Sequence, residues 1–202
     1  MSDPLRLTIV NGSQRPQARS AKVADYLRAL ERPVELTVLD LHALGLPLWS
    51  DEEGLVQAAV NETWAPVSQG LHQADGFVIV APEWNGMATP ALKNFFLYCV
   101  DYELADKPAL IVGVSSGQGG TYPVTELRAT SYKNTQICYI PEHVILRQIE
   151  DILNGPVPVS QDDFYSRVRL DYGYAMLIDY ARALRPVRTS GTRNFEQLPY
   201  GM

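Results

Sequence analysis

Three short stretches concentrate the residues able to hold a ligand. The first is Asn11–Ser20, NGSQRPQARS. Gly12 permits a tight turn, while Ser13, Arg15 and Ser20 bring two hydroxyls and a guanidinium just ahead of an amphipathic segment. Free backbone N–H groups and the dipole at a helix start favour an anion there, a phosphate above all. The three-glycine spacing of a dinucleotide loop and the Lys-Ser/Thr ending of a triphosphate loop are both missing, which points to a single phosphate. A Ser-capped helix with Arg15 and Arg19 in solvent accounts for the same residues equally well. The second stretch is Pro82–Pro90, PEWNGMATP. Pro82 ends an apolar run, Asn85-Gly86 allows a left-handed turn, and Pro90 suits the first turn of a helix. Trp84, set beside Glu83, gives a ring-shaped ligand a planar wall next to fixed main-chain donors; an indole packed inward under an ordinary turn is the alternative. The third stretch is Ser115–Tyr122, SSGQGGTY. Ser115, Ser116, Gly117, Gln118 and Gly119 provide amides and close backbone approach, although Gly-rich loops are also common turns.

The other polar candidates carry less. His42, His72 and His143 lie far apart with no metal-ligand spacing, so no metal site is assigned. Asp51–Glu53 reads as a solvated turn or helix start, and Lys93 and Asn94 as capping or solvent-facing residues of a helix.

The elements that must position these stretches alternate regularly. Strand candidates are LRLTIV (Leu5–Val10), VELTVLDL (Val34–Leu41), GFVIVA (Gly76–Ala81), PALIVGVS and TQICYIP. Helical spacing marks about 18–30, 90–102 and VTELRATSYKN, and DDFYSRVRLDYGYAMLIDYARAL closes the series. A mixed segment broken at Pro66 precedes the third strand. Five strands alternating with helices predict an α/β, flavodoxin-like, doubly wound parallel sheet, order 2-1-3-4-5, with helices on both faces. Ligands of such sheets bind beyond the carboxyl ends of the strands where the order reverses. The loops after strands one, three and four meet there, and they are the three stretches described above. The predicted domain covers residues 1–185, with 186–202 a loose or partner-docked tail.

Composition sets the outer limits. The chain has 202 residues, 46% hydrophobic, with a formal net charge of −6. That suits a core-bearing soluble domain and argues against a nucleic-acid surface, which wants clustered Lys and Arg. No apolar run reaches membrane-spanning length and no secretory signal is visible, so a cytoplasmic protein with no membrane partner is expected. Cys99 and Cys138 sit in apolar runs and read as free buried thiols.

GSQRPQARS, PEWNGMATPALKN and SSGQGGTYPVTELR, in that order, resemble the NADPH-dependent FMN reductase family, whose members include quinone, azo-dye and chromate reductases. The resemblance spans roughly the first two-thirds of the chain. It implies that Ser13, Arg15 and Ser20 hold the FMN phosphate. Pro82, Glu83, Trp84, Asn85 and Gly86 would run along the isoalloxazine, and Ser115, Ser116, Gly117, Gln118 and Gly119 would bond its pyrimidine edge. For Glu83 a contact with the ribityl or flavin edge and a purely structural carboxylate stand level. Trp84 replaces the usual Tyr, Ala18 a common Ser, and Ser116 a family glycine; the last third of the chain matches poorly. The implied activity is hydride transfer from NADPH or NADH through FMN to a small-molecule acceptor, with no acid–base residue required and none assigned as catalytic. A non-catalytic FMN carrier and a flavin-free interaction module are the competing readings. The helix PALKNFFLYCVDYEL is apolar around most of its circumference, which requires burial on more than one side. Together with the family likeness this implies a homodimer or tetramer.

Overall fold

Apolar runs buried on both faces build the centre of the sheet, and half-buried ones its edges. The computed structural model describes residues 4–50 and 55–199. The strands are β1 (Leu5–Asn11), β2 (Val34–Asp40), β3 (Gly76–Trp84), β4 (Met87–Ala88), β5 (Pro108–Val114) and β6 (Cys138–Leu146). The helices are α1 (Ala21–Ala29), α2 (Leu41–Leu44), α3 (Leu55–Gln73), α4 (Pro90–Tyr98), α5 (Thr121–Thr130), α6 (Tyr132–Thr135) and α7 (Gln161–Arg188). Five strands pair in parallel in the order β2-β1-β3-β5-β6, and β4 adds an antiparallel pair to the end of β3. The class is the one predicted; the sheet has six strands rather than five because of β4.

Alternation along the strands divides the core into two layers. Ile9, Val78, Val80, Leu110 and Val112 pack on α1 and α7, around Leu27, Leu170 and Tyr174. Phe77, Ile79, Ala81 and Ile111 pack on α3, α4 and α5, around Leu71, Phe95 and Leu127. Every residue of β5 is buried, as a central parallel strand demands.

Several boundaries differ from the sequence reading, each for a local reason. Pro66 lies inside α3 rather than ending it. It sits on the exposed side, where the carbonyl its missing N–H leaves free can face solvent. β6 runs past Pro141 to Leu146; the strand is at the sheet edge and its register with β5 shifts between Ala109 and Ile111, so the ladder needs no Pro donor. The fourth helix stops at Tyr98, and Tyr102 has φ 60°, which no helix continues through. α7 continues through Pro186 to Arg188, past the boundary at 185.

The end of α7 and the following segment are held by acids at the opposite edge from the loops described above. Asp75 accepts from the Arg6 amide (3.0 Å), from Arg185 Nε (2.8 Å) and from Arg188 Nη2 (2.7 Å). Burial pushes the Asp75 carboxyl up, but these donors outweigh it and hold the group below its ordinary range. Further on, Arg193 pairs with Asp106, and Phe195 stacks on Tyr102 with centroids 3.8 Å apart. Asp51–Glu53 lie outside the described residues.

Candidate functional site

At the carboxyl edge, where the order reverses between β1 and β3, the chain leaves β1 through Gly12. Its amide donates to the Val80 carbonyl (2.9 Å), and a Cβ there would lie 2.6 Å from that oxygen, so the crossing requires glycine. Thr89 is fully buried; its hydroxyl donates to the Gly12 carbonyl and accepts from the Leu92 amide, capping α4. Ser13 is buried and its Oγ accepts from the Arg15 amide (3.2 Å).

Ser20 occupies the N-cap position of α1 without capping it. Its hydroxyl donates to Asn11 Oδ1 (2.8 Å), Asn11 Nδ2 donates to Asp40 Oδ2 (2.8 Å), and Asp40 Oδ1 accepts from the Ala43 amide to start α2. The Ser-capped reading of this loop is therefore corrected. The amides of Ala21, Lys22 and Val23 donate to the carbonyls of Ala18, Arg19 and Ser20. Among the described residues, the amides of Arg19 and Ser20 themselves meet no protein acceptor, so these are the donors left for an anion. Arg19 pairs with Glu150 (2.7 Å) rather than standing in solvent, and the Arg15 guanidinium lies over the Trp84 ring, 4.4 Å from its centroid.

Asn85 (φ 49°) and Gly86 (φ 74°) both take positive φ, forming a two-residue turn that joins β3 to β4 in a hairpin. Trp84 pairs with Met87 across this hairpin. Alternation sends Trp84 toward the Gly12–Ser20 loop and Glu83 toward α5. Glu83 Oε2 accepts from the amides of Gly120 (2.6 Å) and Tyr122 (3.3 Å), placing the carboxylate at the N-terminus of α5. Glu83 thus ties the aromatic loop to the Gly-rich loop. Glu126 on α5 adds a second tie, accepting from the Ala88 amide (2.8 Å) and pairing with Lys93. Burial pushes Glu126 up, yet Lys93 and the Ala88 amide hold its carboxyl below the usual range. Asn94 does not face solvent: it is buried, donating to the Pro47 carbonyl (2.7 Å) and accepting from the Trp49 amide (2.8 Å).

The Gly-rich loop is laced to the segment after β6. Ser115 donates to Leu146, Gln148 to Gly117, Arg147 Nε to Gln118 (2.6 Å) and Ile149 back to Ser115. Gly117 donates to Ser115 Oγ (3.1 Å). The amides of Ser116, Gln118 and Gly119 meet no protein acceptor among the described residues. Lys22 on α1 closes this fourth wall by donating to the carbonyls of Ile149 (2.7 Å) and Ile152 (3.2 Å) and to the Asn154 side chain.

Between these loops lies a cleft of about 400 Å³. Of the predicted residues, Ser13, Arg15, Ser20, Pro82, Glu83, Trp84, Asn85 and Ser116 line it. Gly86, Ser115, Gly117, Gln118 and Gly119 do not, although they belong to the same loops. Arg19, Val114, Ile149 and Glu150 line it without having been singled out as ligand residues. The segment holding Ile149 and Glu150 carries no motif; its only sequence signal is its place after the last strand, at the same sheet edge.

The donor set suits a flavin mononucleotide. A phosphate calls for the free Arg19 and Ser20 amides with Arg15 beside them, and a ring calls for the Trp84 hairpin and the open amides of the Gly-rich loop. Comparison with known proteins agrees. The family model described as NADPH-dependent FMN reductase matches residues 5–151. The NADPH azoreductase of Bacillus sp. (strain OY1-2) is 29% identical over 143 residues, 70% of this chain and 76% of that protein. The NAD(P)H-dependent FMN reductase LOT6 of Saccharomyces cerevisiae is 27% identical over 137 residues, 58% of this chain and 68% of its own. Among solved structures, FerB, a flavoenzyme NAD(P)H:(acceptor) oxidoreductase from Paracoccus denitrificans, superposes with a TM-score of 0.67 at 18% identity, covering 89% of this chain and 98% of that one, which speaks to the fold. This chain belongs to the NADPH-dependent FMN reductase family, oxidoreductases that use FMN with NAD(P)H as electron donor.

Proposed function

We propose that this protein reduces a small-molecule acceptor such as a quinone, a free flavin, an azo compound or a metal oxyanion. The observation that carries the reading is the convergence of three loops on one cleft, two of which leave backbone amides without a protein acceptor among the described residues. The bound FMN would supply the hydride-accepting and electron-delivering centre. Ser13, Arg15 and the Arg19 and Ser20 amides would hold its phosphate; the Ser20 hydroxyl already gives its proton to Asn11 and offers only a lone pair. Pro82–Gly86 would border the ring, and Ser115–Gly119 would present amides to its polar edge, where fixed donors stabilise negative charge. Glu83 holds those two loops together at the wall of the cleft.

We infer further that a second copy packs on α4. The outer side of that helix is partly covered within the chain, by Trp64 (centroids 6.0 Å from Phe95 and 5.4 Å from Tyr98) and by Pro47 and Trp49. Leu97 and Val100 nevertheless remain 52% and 69% exposed, next to Trp49, and Leu48 and Met87 are exposed as well. An apolar patch of this kind calls for a partner. Among the described residues no helix is long and apolar enough to cross a membrane.

The test is purification, a visible spectrum with and without added FMN, and oxidation of NADPH and NADH with a quinone present. A yellow protein oxidising either nicotinamide, with parallel double-reciprocal plots, is the expected result. A protein that takes up no FMN defeats the reading, and a flavoprotein inert to both nicotinamides turns it into a carrier. Sedimentation at micromolar concentration should show a dimer or larger species that Leu97→Glu dissociates; a wild-type monomer removes the α4 interface.

A further inference from the structure

We propose that Trp84 is a positioning residue: its indole holds Arg15 ready for the phosphate and so makes the site select FMN over unphosphorylated riboflavin. The proposal rests on the FMN reading above. Two arginines occupy the Gly12–Ser20 loop, and they are treated differently. Arg19 is committed to Glu150 at 2.7 Å. The Arg15 side chain makes no hydrogen bond or ion pair among the described residues, and its one directed contact is with the face of Trp84, 4.4 Å from the ring centroid. Both residues line the cleft that also holds Ser13 and Ser20.

The chemistry of that contact matters. A carboxylate partner would compete with phosphate for the guanidinium and neutralise its charge. An aromatic face attracts the cation through its quadrupole, yet leaves the charge and the in-plane N–H groups free. The long arginine side chain is thereby ordered before the ligand arrives, and the ordering cost no longer falls on binding. Trp is the strongest such platform, so Trp in place of the family's Tyr strengthens the hold. The platform is itself rigid. Trp84 pairs with Met87 across a two-residue turn, and Pro82, two residues earlier, is registered on Val114 of β5. The indole face covered by Arg15 is then closed to a ring ligand, so within the hairpin that borders the ring Trp84 itself acts on the phosphate end.

The experiment is fluorescence titration of the apoprotein with FMN and, separately, with riboflavin. The proteins are wild type, Trp84→Leu, Trp84→Tyr, Arg15→Gln and the double variant Trp84→Leu/Arg15→Gln. Trp84→Leu should weaken FMN about tenfold, equivalent to ~1.4 kcal/mol, with riboflavin affinity changed by less than about twofold. Trp84→Tyr should restore most of the FMN preference. The double variant should bind FMN no more weakly than Arg15→Gln, because both changes remove one interaction. Equal weakening of both flavins by Trp84→Leu, or additive losses in the double variant, overturns the proposal and makes the indole a ring wall. Those results leave the FMN reading intact; only a wild-type protein that binds neither flavin defeats both. Trp84→Tyr keeps the aromatic hairpin pair and guards against misfolding of the Leu variant.

Discussion

Removing the Glu83 carboxylate tests whether the aromatic and Gly-rich loops are held by one group. Its Oε2 accepts from Gly120 at 2.6 Å and from Tyr122 at 3.3 Å. Hydrogen bonds to a charged group contribute roughly 1.5–3 kcal/mol in favourable geometry. The second bond is long and the side chain half-buried, so about 2 kcal/mol is the expected cost of Glu83→Ala, including the loss of charge at the α5 N-terminus. Glu83→Gln keeps one acceptor oxygen and should cost about 1 kcal/mol. For a chain of this size these losses lower Tm by roughly 2–8 °C. Gly119 sharpens the test, since a Cβ there would lie 2.3 Å from Glu83 Oε1. The clashing atom is the end of a side chain, so the carboxylate can swing away, and Gly119→Ala should cost no more than breaking the Glu83 tie. In a Glu83→Ala background it should cost close to nothing, a coupling of about 2 kcal/mol in a double-mutant cycle. Urea unfolding of the apoprotein measures all four states, and FMN titration of the same set reports whether the freed loop binds more weakly. Unchanged stability in Glu83→Ala, or additive losses in the cycle, would refute the reasoning and leave the Glu126–Ala88 tie and the bonds of the Gly-rich loop to the segment after β6 as the anchors.

Gly12→Ala should destabilise by about 2–3 kcal/mol in urea unfolding, because the Cβ would meet the main chain of β3, which cannot swing aside. Gly70→Ala on α3, with nothing within 4 Å, should instead raise stability by up to about 1 kcal/mol. Asp75→Asn should cost about 2–3 kcal/mol at pH 7, since it leaves Arg185 and Arg188 side by side without their carboxylate. The folded Asp75 carboxyl lies below its unfolded value, so its contribution is present above the unfolded value near pH 3.8 and is lost as pH falls through the folded one. The difference between wild type and Asp75→Asn in urea midpoint should therefore shrink below about pH 4 and stay constant from pH 5 to 8.

What was legible in the sequence was chemistry carried by neighbours. Asn85-Gly86, Pro90 and the alternation of apolar runs act through the local backbone, so the hairpin site, the helix start and the parallel sheet could be read directly. What was not legible depends on partners distant in the chain. Ser20 looks like a cap until Asn11, nine residues earlier, takes its proton. Glu83 looks like a ligand residue as readily as a structural one until Gly120, 37 residues on, supplies its donor. Asn94 reads as solvent-facing because nothing near it in sequence announces the 45–50 loop that covers it. Pro66 reads as a break, and the fifth strand reads as ending at Pro141, because the rule prolines follow is suspended at an exposed helix face and at a sheet edge.

The arrangement of charge in the cleft carries the same logic one step further. A site for an anion cannot leave carboxylates free, because each would repel the phosphate at short range and raise the cost of its desolvation. Two acids line this cleft, and both are engaged by the protein: Glu83 by the amides of Gly120 and Tyr122, Glu150 by Arg19. Behind them Asp40 is shared between Asn11 and the start of α2. In a chain with formal charge −6, this leaves Arg15, of the two arginines that line the cleft, without an acidic partner among the described residues, beside a set of neutral amides. The acids that shape the loops are thus the ones that keep the surrounding charge from opposing the ligand. Replacing Arg19 should consequently harm FMN binding even if its guanidinium never touches phosphate, because it would release Glu150 into the cleft.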